Sequence, residues 1–133
     1  MLKRNCIGGF FMVKIAVLGF GTVGSGVVEV LRKNFQSISQ KAGEKIDIKY
    51  ILDIREFPDS PEKDIIINDI DTILDDDEVS IVVEVMGGID PAYTYTKRAL
   101  MSGKHVVTSN KELVAAHGAE LLAIAKEKNI NYL

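Results

Sequence analysis

The sequence predicts a doubly wound parallel α/β sheet, and three observations predict it. Short apolar runs recur along the chain, amphipathic segments separate them, and a glycine-rich turn joins the first run to the first helix. Strands that alternate with helices require right-handed crossovers, which build a parallel sheet with helices on its faces. The 133 residues, 47% apolar and 26% charged, suffice for one core of ordinary domain size.

VKIAVLGF, Val13 to Phe20, is a nearly continuous apolar run, as expected of a strand buried on both faces. GTVGSGVVEVLRKN follows, and its Val23, Val27, Val30 and Leu31 fall on one helical face. Asn34 to Lys45 is polar around Gly43 and reads as a connection to a second strand at Ile46 to Leu52. Pro58 and Pro61 mark a loop. Ile65 to Ile67 fits a short strand, and Ile70, Ile73 and Leu74 fit a short helix. The acidic cluster Asp75 to Glu78 lacks calcium-loop spacing and reads as a solvated connection.

SIVVEV, Ser80 to Val85, is another buried strand, ended by Gly87-Gly88. Asp90-Pro91 pairs a capping acceptor with a proline suited to the first helical position. A helix is expected from there to about Ser102, closed by Gly103. KHVVTS is the next strand and NKELVAAH the next helix, with Gly118 expected to break it from GAELLAIAKEKN. INYL begins one more strand.

A net charge of −3 with scattered basic residues gives no footprint for nucleic acid or anionic lipid. Cys6 has no partner in the chain, which excludes an intrachain disulfide and points to a reducing compartment, the cytoplasm. No apolar run is long enough to span a bilayer, and the start MLKRNCIGGFF lacks the features of a signal peptide. Residues 1–11 show neither strand nor helix period, whereas Met12 opens a clean strand pattern. The expected organisation is therefore an upstream extension at 1–11 and one domain at 12–133. Gly8-Gly9 can be encoded by a purine-rich ribosome-binding sequence, which would make Met12 the start of translation.

Gly19, Gly21 and Gly24 form G-x-G-x-x-G between the first strand and the first helix. The first glycine permits the tight turn, the second lets backbone approach a pyrophosphate, and the third allows helix to pack on strand. The helix N-terminus then faces the anion. In this position the triplet points to a dinucleotide. At the end of the second strand, Asp53 would accept from ribose hydroxyls and favour NAD, while Arg55 would pair with a 2′-phosphate and favour NADP. The choice between them stays open, as does the reading of both as solvated strand-end residues. Met86-Gly87-Gly88 and Thr108-Ser109-Asn110-Lys111 lie at the same carboxyl edge of the sheet, suited to contact the nicotinamide half. Glu84 lies inside a strand and needs a partner if buried.

GFGTVGSGV, VVEVMGGIDPA, ALMSGKHVVTSNKELVA and HGAELLAIA together resemble the nucleotide-binding domain of homoserine dehydrogenase, in matching order across Val13 to Leu133. The resemblance implies a Rossmann fold that binds NAD or NADP. It also implies an oxidoreductase interconverting L-homoserine and L-aspartate 4-semialdehyde in threonine and methionine biosynthesis. It implies that Phe20, Thr22 and Val23 lie against the cofactor, and that Lys111 matches the family's NK lysine near the reacting carbonyl. An ammonium there would stabilise charge on the carbonyl oxygen or shuttle a proton. The family's substrate-binding and dimerisation regions lie C-terminal to this domain, so the chain is expected to be a fragment, inactive alone, of a homodimeric enzyme.

Two alternatives stand beside that reading. Sugar and inositol dehydrogenases also place a lysine after a GKHV strand, but in an EKP context where this chain has SNKEL. A non-catalytic dinucleotide-binding module is the other. His105 and His117 read as local hydrogen-bonding or surface residues, and Tyr93 and Tyr95 as packing or surface groups. No metal-ligand spacing is present in the sequence.

Overall fold

The computed structural model describes residues 5–7 and 10–133. Its strands are β1 (Asn5–Ile7), β2 (Phe10–Leu18), β3 (Lys45–Leu52), β4 (Ile66–Ile67), β5 (Val79–Glu84) and β6 (His105–Thr108). Its α-helices are α1 (Thr22–Lys33), α2 (Phe35–Ala42), α3 (Ile70–Leu74), α4 (Ala92–Met101) and α5 (Lys111–Lys128). Strands β2 to β6 run parallel in the order β4-β3-β2-β5-β6. The chain winds outward from β2 to β4 and then returns to the other side of β2, as the alternating pattern predicts. Strand order reverses between β2 and β5, which opens a crevice at their carboxyl ends. A further parallel bridge, Val106 to Tyr132, starts where INYL was expected to begin a strand.

Alternation along β2 explains why its run is apolar throughout. Ile15 and Val17 pack with Val28, Ile48 and Ile51 on the α1 side. Ala16 and Leu18 pack with Val82, Val106, Leu100 and Leu121 on the side of α4 and α5. Leu18, Leu100, Leu113 and Leu121 are fully buried, each stabilising by about 1.5–3 kcal/mol relative to exposure. Among the described residues no helix is long and apolar enough to cross a membrane.

Several elements depart from the sequence expectations. β2 starts at Phe10, and Asn5–Ile7 pairs antiparallel with Phe10 to Met12. Residues 5–7 and 10–11 therefore do not stand outside the sheet. The parallel neighbours of β2 begin only at Met12 and Lys14, so the antiparallel rung pairs backbone groups that would otherwise lack partners. The polar stretch after Asn34 is a helix, α2, closed by Gly43 at φ 70°. On α1 the buried residues are Gly24 and Val28, whereas Val23 and Val30 are more than half exposed. Val27, Val30 and Leu31 of the expected face border an apolar hollow with Ile15, Ile46, Ile81 and Val83 of the sheet.

Asp90 makes no side-chain cap on α4: the Asp90-Pro91 peptide is cis, and Pro91 itself is the N-cap. α5 runs unbroken through Gly118, which is buried on the same stripe as Leu113, Leu121 and Ala125. Asn110 caps its start by accepting from Leu113 N–H, and Asn129, in the left-handed conformation, ends it. The acidic cluster is more than a solvated connection. Asp76 pairs with Lys49 and accepts from Tyr50 OH, and Glu78 pairs with Lys14 and Lys49.

Candidate functional site

The turn from β2 to α1 shows the steric demands read from its first and third glycines. Gly19 has φ +101°, and a Cβ there would lie 3.2 Å from Val85 O and Met86 Cα. At Gly24 a Cβ would sit 1.9 Å from Gly19 O, so only glycine lets α1 lie against the strand end. Gly21 is the N-cap of α1 and supplies no side-chain cap. The N–H groups of the first turn, at Thr22 and Val23, are thus left open toward the crevice, where an anion would complete them.

Asp53 and Arg55 follow β3 and form one unit with that turn. Asp53 Oδ2 accepts from Phe20 N–H at 3.0 Å and from Arg55 Nη2 at 2.9 Å. Its Oδ1 accepts from Arg55 N–H at 2.9 Å and from Arg55 Nε at 3.1 Å. The Asp53 side chain is 7% exposed and that of Arg55 61%. The hydrogen bond from the Arg55 side chain holds the Asp53 carboxyl down at about 2, with the Arg55 and Phe20 N–H groups acting in the same direction and burial opposing them. The guanidinium also lies 5.3 Å from the Phe57 ring, which meets Phe20 edge-on at 5.0 Å.

The other wall comes from β5 and β6, and Glu84 joins its two loops. Glu84 is fully buried. Its Oε2 accepts from Met86 N–H at 2.8 Å and its Oε1 from Thr108 Oγ1 at 2.6 Å. Asn110 Nδ2 donates to Gly88 O at 2.6 Å and, more weakly, to Glu84 Oε2 at 3.4 Å. Thr108 Oγ1 accepts from Asn110 N–H, and Ser109 N–H donates to Glu84 O. Gly87 and Gly88 have φ of 77° and 72°, which fold the loop back over this carboxylate. Lys111 follows as the exposed first residue of α5.

Between the walls lies a cleft of about 480 Å³. Gly19, Gly21, Thr22 and Val23 line it from the glycine turn, Asp53 and Arg55 from the end of β3, and Met86, Gly87, Ser109 and Asn110 from the far wall. Phe20, Gly24, Gly88, Thr108 and Lys111 border or support it without lining it. Leu52, Ile54, Asn68, Val85, Pro91 and Tyr95 also line the cleft, although the sequence assigns none of them to the site and reads Tyr95 as a packing or surface group and Pro91 as a helix start. Asn68 directly follows β4, so its place at a carboxyl strand end was the available signal. Tyr95 reaches the cleft from α4, whereas Tyr93 stacks on His117 and donates to Glu120. His105 Nδ1 accepts from Asn131 N–H, and burial pushes its pKa down. No group of three or more potential metal ligands occurs among the described residues.

A doubly wound sheet with a glycine turn at its switch point and a cleft across the carboxyl ends defines a dinucleotide-binding α/β domain. The family profile "Homoserine dehydrogenase, NAD binding domain" matches residues 19–133. The chain belongs to that family. The homoserine dehydrogenase of Lactococcus lactis is 40% identical over 124 residues, covering 89% of this chain and 29% of the relative. The crystal structure of S. aureus homoserine dehydrogenase at pH 7.0 superposes with a TM-score of 0.83 at 40% identity, over 91% of this chain and 32% of that one. A hyperthermophilic archaeal homoserine dehydrogenase in complex with NADPH gives a TM-score of 0.73 at 26% identity, over 92% of this chain and 43% of that one. The chain thus spans about three-tenths of the length of its curated relative.

Proposed function

We propose that this chain is the cofactor-holding part of a homoserine dehydrogenase, with residues 12–133 as the dinucleotide-binding unit. The whole protein would interconvert L-homoserine and L-aspartate 4-semialdehyde with NAD(P)(H), in the cytoplasm, as a homodimer, on the route to threonine and methionine. The observation that carries this reading is the convergence of two walls on one cleft. Uncapped N–H groups at the start of α1 stand on one side, and the Glu84-ordered loops stand on the other.

The residues fit a dinucleotide. Gly21 has no non-neighbouring atom nearer its virtual Cβ than Arg55 Nη2 at 3.8 Å, so a pyrophosphate can approach the backbone. Thr22 and Val23 N–H would hold its charge, and Met86, Gly87, Ser109 and Asn110 would orient the nicotinamide half. The bound cofactor supplies or accepts the hydride. Lys111 would place its ammonium beside the substrate carbonyl and stabilise the negative charge that grows on its oxygen. Glu84 acts through Thr108 and Asn110 to fix where α5, and with it Lys111, begins.

The test is Lys111→Ala in the full-length protein. Turnover is expected to fall at least about a hundredfold while cofactor affinity changes less than about threefold, since removal of one oxyanion donor has effects of that size. Equal losses in the two would make Lys111 a binding group instead.

A further inference from the structure

Residues 131–133 lie along the outer edge of β6. Val106 N–H donates to Asn131 O at 3.0 Å, Leu133 N–H to Val106 O at 3.0 Å, and Thr108 N–H to Leu133 O at 2.8 Å. One rung earlier, a regular parallel ladder would send Asn131 N–H to the main-chain carbonyl of Lys104. It goes instead to a side chain, His105 Nδ1, at 3.0 Å. A ring nitrogen that accepts a hydrogen bond carries no proton, so His105 is neutral here, with its proton on Nε2. That Nε2 is buried and has no hydrogen-bond partner among the described residues. The charged form would set a second N–H, at Nδ1, directly against Asn131 N–H, and would place a positive charge in a buried site.

We propose that His105 is a proton-operated latch: the neutral imidazole holds residues 131–133 on the sheet edge, and its protonation loosens them. The surroundings oppose a positive charge. The ring's cross-strand neighbours are Ile81 on β5 and Asn131 on the edge side, and neither titrates. The adjacent ammonium, Lys104, donates to Asp76 O and Val79 O. Burial pushes the imidazole pKa down, and the positive charge of the amino terminus acts in the same direction. Tyr132, 8% exposed in the core beside β6, anchors the strand as well, so the proton acts on the edge and not on the whole domain. Thr108 N–H loses Leu133 O when the strand lifts, and the Thr108 hydroxyl is the donor to Glu84 Oε1. The latch therefore reaches the wall that carries Asn110 and Lys111, whatever the cleft binds.

Native-state hydrogen exchange of the purified chain, resolved by NMR at about pH 7 and about pH 5 and corrected for the intrinsic exchange rate, tests this. Opening at the Asn131, Leu133 and Thr108 amides is expected to rise at least about fivefold, because a site that binds its proton more weakly when closed opens up to about tenfold more per pH unit below the imidazole's ordinary value. Amides of β2, from Ile15 to Val17, serve as the reference and should change less than about twofold. His105→Asn keeps an acceptor oxygen near the Nδ1 position and cannot titrate. It should hold the wild-type protection at about pH 7 to within about threefold and lose the pH dependence. Imidazole nitrogen shifts of the wild type read the tautomer directly, with the proton expected on Nε2 and a titration midpoint below 6.5. A proton on Nδ1, a midpoint above 6.5, edge protection that ignores pH, or a pH dependence that survives His105→Asn would each overturn the latch. The wild-type readouts decide the question even if the variant does not fold.

Discussion

Glu84→Leu removes the carboxylate that ties the Gly87-Gly88 loop to the start of α5. The substitution fits the apolar surroundings of β5, so volume is not the issue. It leaves Met86 N–H and the Thr108 hydroxyl without their acceptor, and weakens the hold on Asn110, which keeps its 2.6 Å bond to Gly88 O. An orphaned buried donor costs about 1–3 kcal/mol. Two of them give a loss of about 2–6 kcal/mol, a large part of the ~5–15 kcal/mol that holds a domain folded. Glu84→Gln keeps one acceptor oxygen and is expected to lose about half as much. Urea unfolding of the wild type and both variants reads this directly, and the midpoints should fall in the order wild type, Gln, Leu with an unchanged slope. Cofactor affinity should fall in the same order under conditions where all three are folded. A Leu variant as stable as the wild type would refute the view that Glu84 is the organiser of this wall.

Two further outcomes follow from the same structure. Gly24→Ala forces a methyl into Gly19 O, 1.9 Å away, and should destabilise by at least about 1–3 kcal/mol. Gly26→Ala, with nothing within 4 Å, should stabilise α1 by about 0.5–1 kcal/mol, and thermal melts compare the pair. Asp53 and Asp76 are both held down at about 2, Asp53 chiefly by its Arg55 hydrogen bond. At Asp76 burial acts upward but is outweighed by Lys49 and Tyr50. A carboxyl lowered in the folded state contributes stability that is complete above its unfolded value near 4 and disappears as pH falls through its folded value. The urea-unfolding free energy should therefore drop between about pH 4 and 2, by about 1–2 kcal/mol per residue, and Asp76→Asn should shrink that drop. His105, pushed down by burial, adds a separate decline as pH falls through the ordinary imidazole value of 6.5.

Strand β2 was legible because it is covered on both faces, so burial writes itself as a continuous apolar run. β5 and β6 carry similar runs although Val107 is 39% exposed, and β3 shows instead the alternation of Ile46, Ile48 and Tyr50 with charged residues. The glycine turn was legible because Gly19 and Gly24 answer to two separate steric demands, a positive φ and the close approach of helix to strand. Helix α2 was not, since Phe35 and Ile38 are its only large apolar residues and the rest of the segment is polar. Gly118 read as a break because helix propensity disfavours glycine. Burial of that face, between Leu113 and Leu121, outweighs the propensity. Asp53 looked like a free acceptor because nothing local reveals that Arg55, two residues on, folds back to occupy it. Asn68, Pro91 and Tyr95 reach the cleft only through crossovers, which bring residues far apart in sequence to one sheet edge.

The central claim is that a dinucleotide lies across the carboxyl ends of β2, β3 and β5. Amide chemical-shift mapping with NADPH tests it most directly. The largest shifts are expected at Phe20 to Gly24, at Asp53 to Arg55 and at Met86 to Gly88, with α2 and the outer face of α5 unmoved. Shifts absent from the glycine turn, or concentrated elsewhere on the sheet, would contradict it.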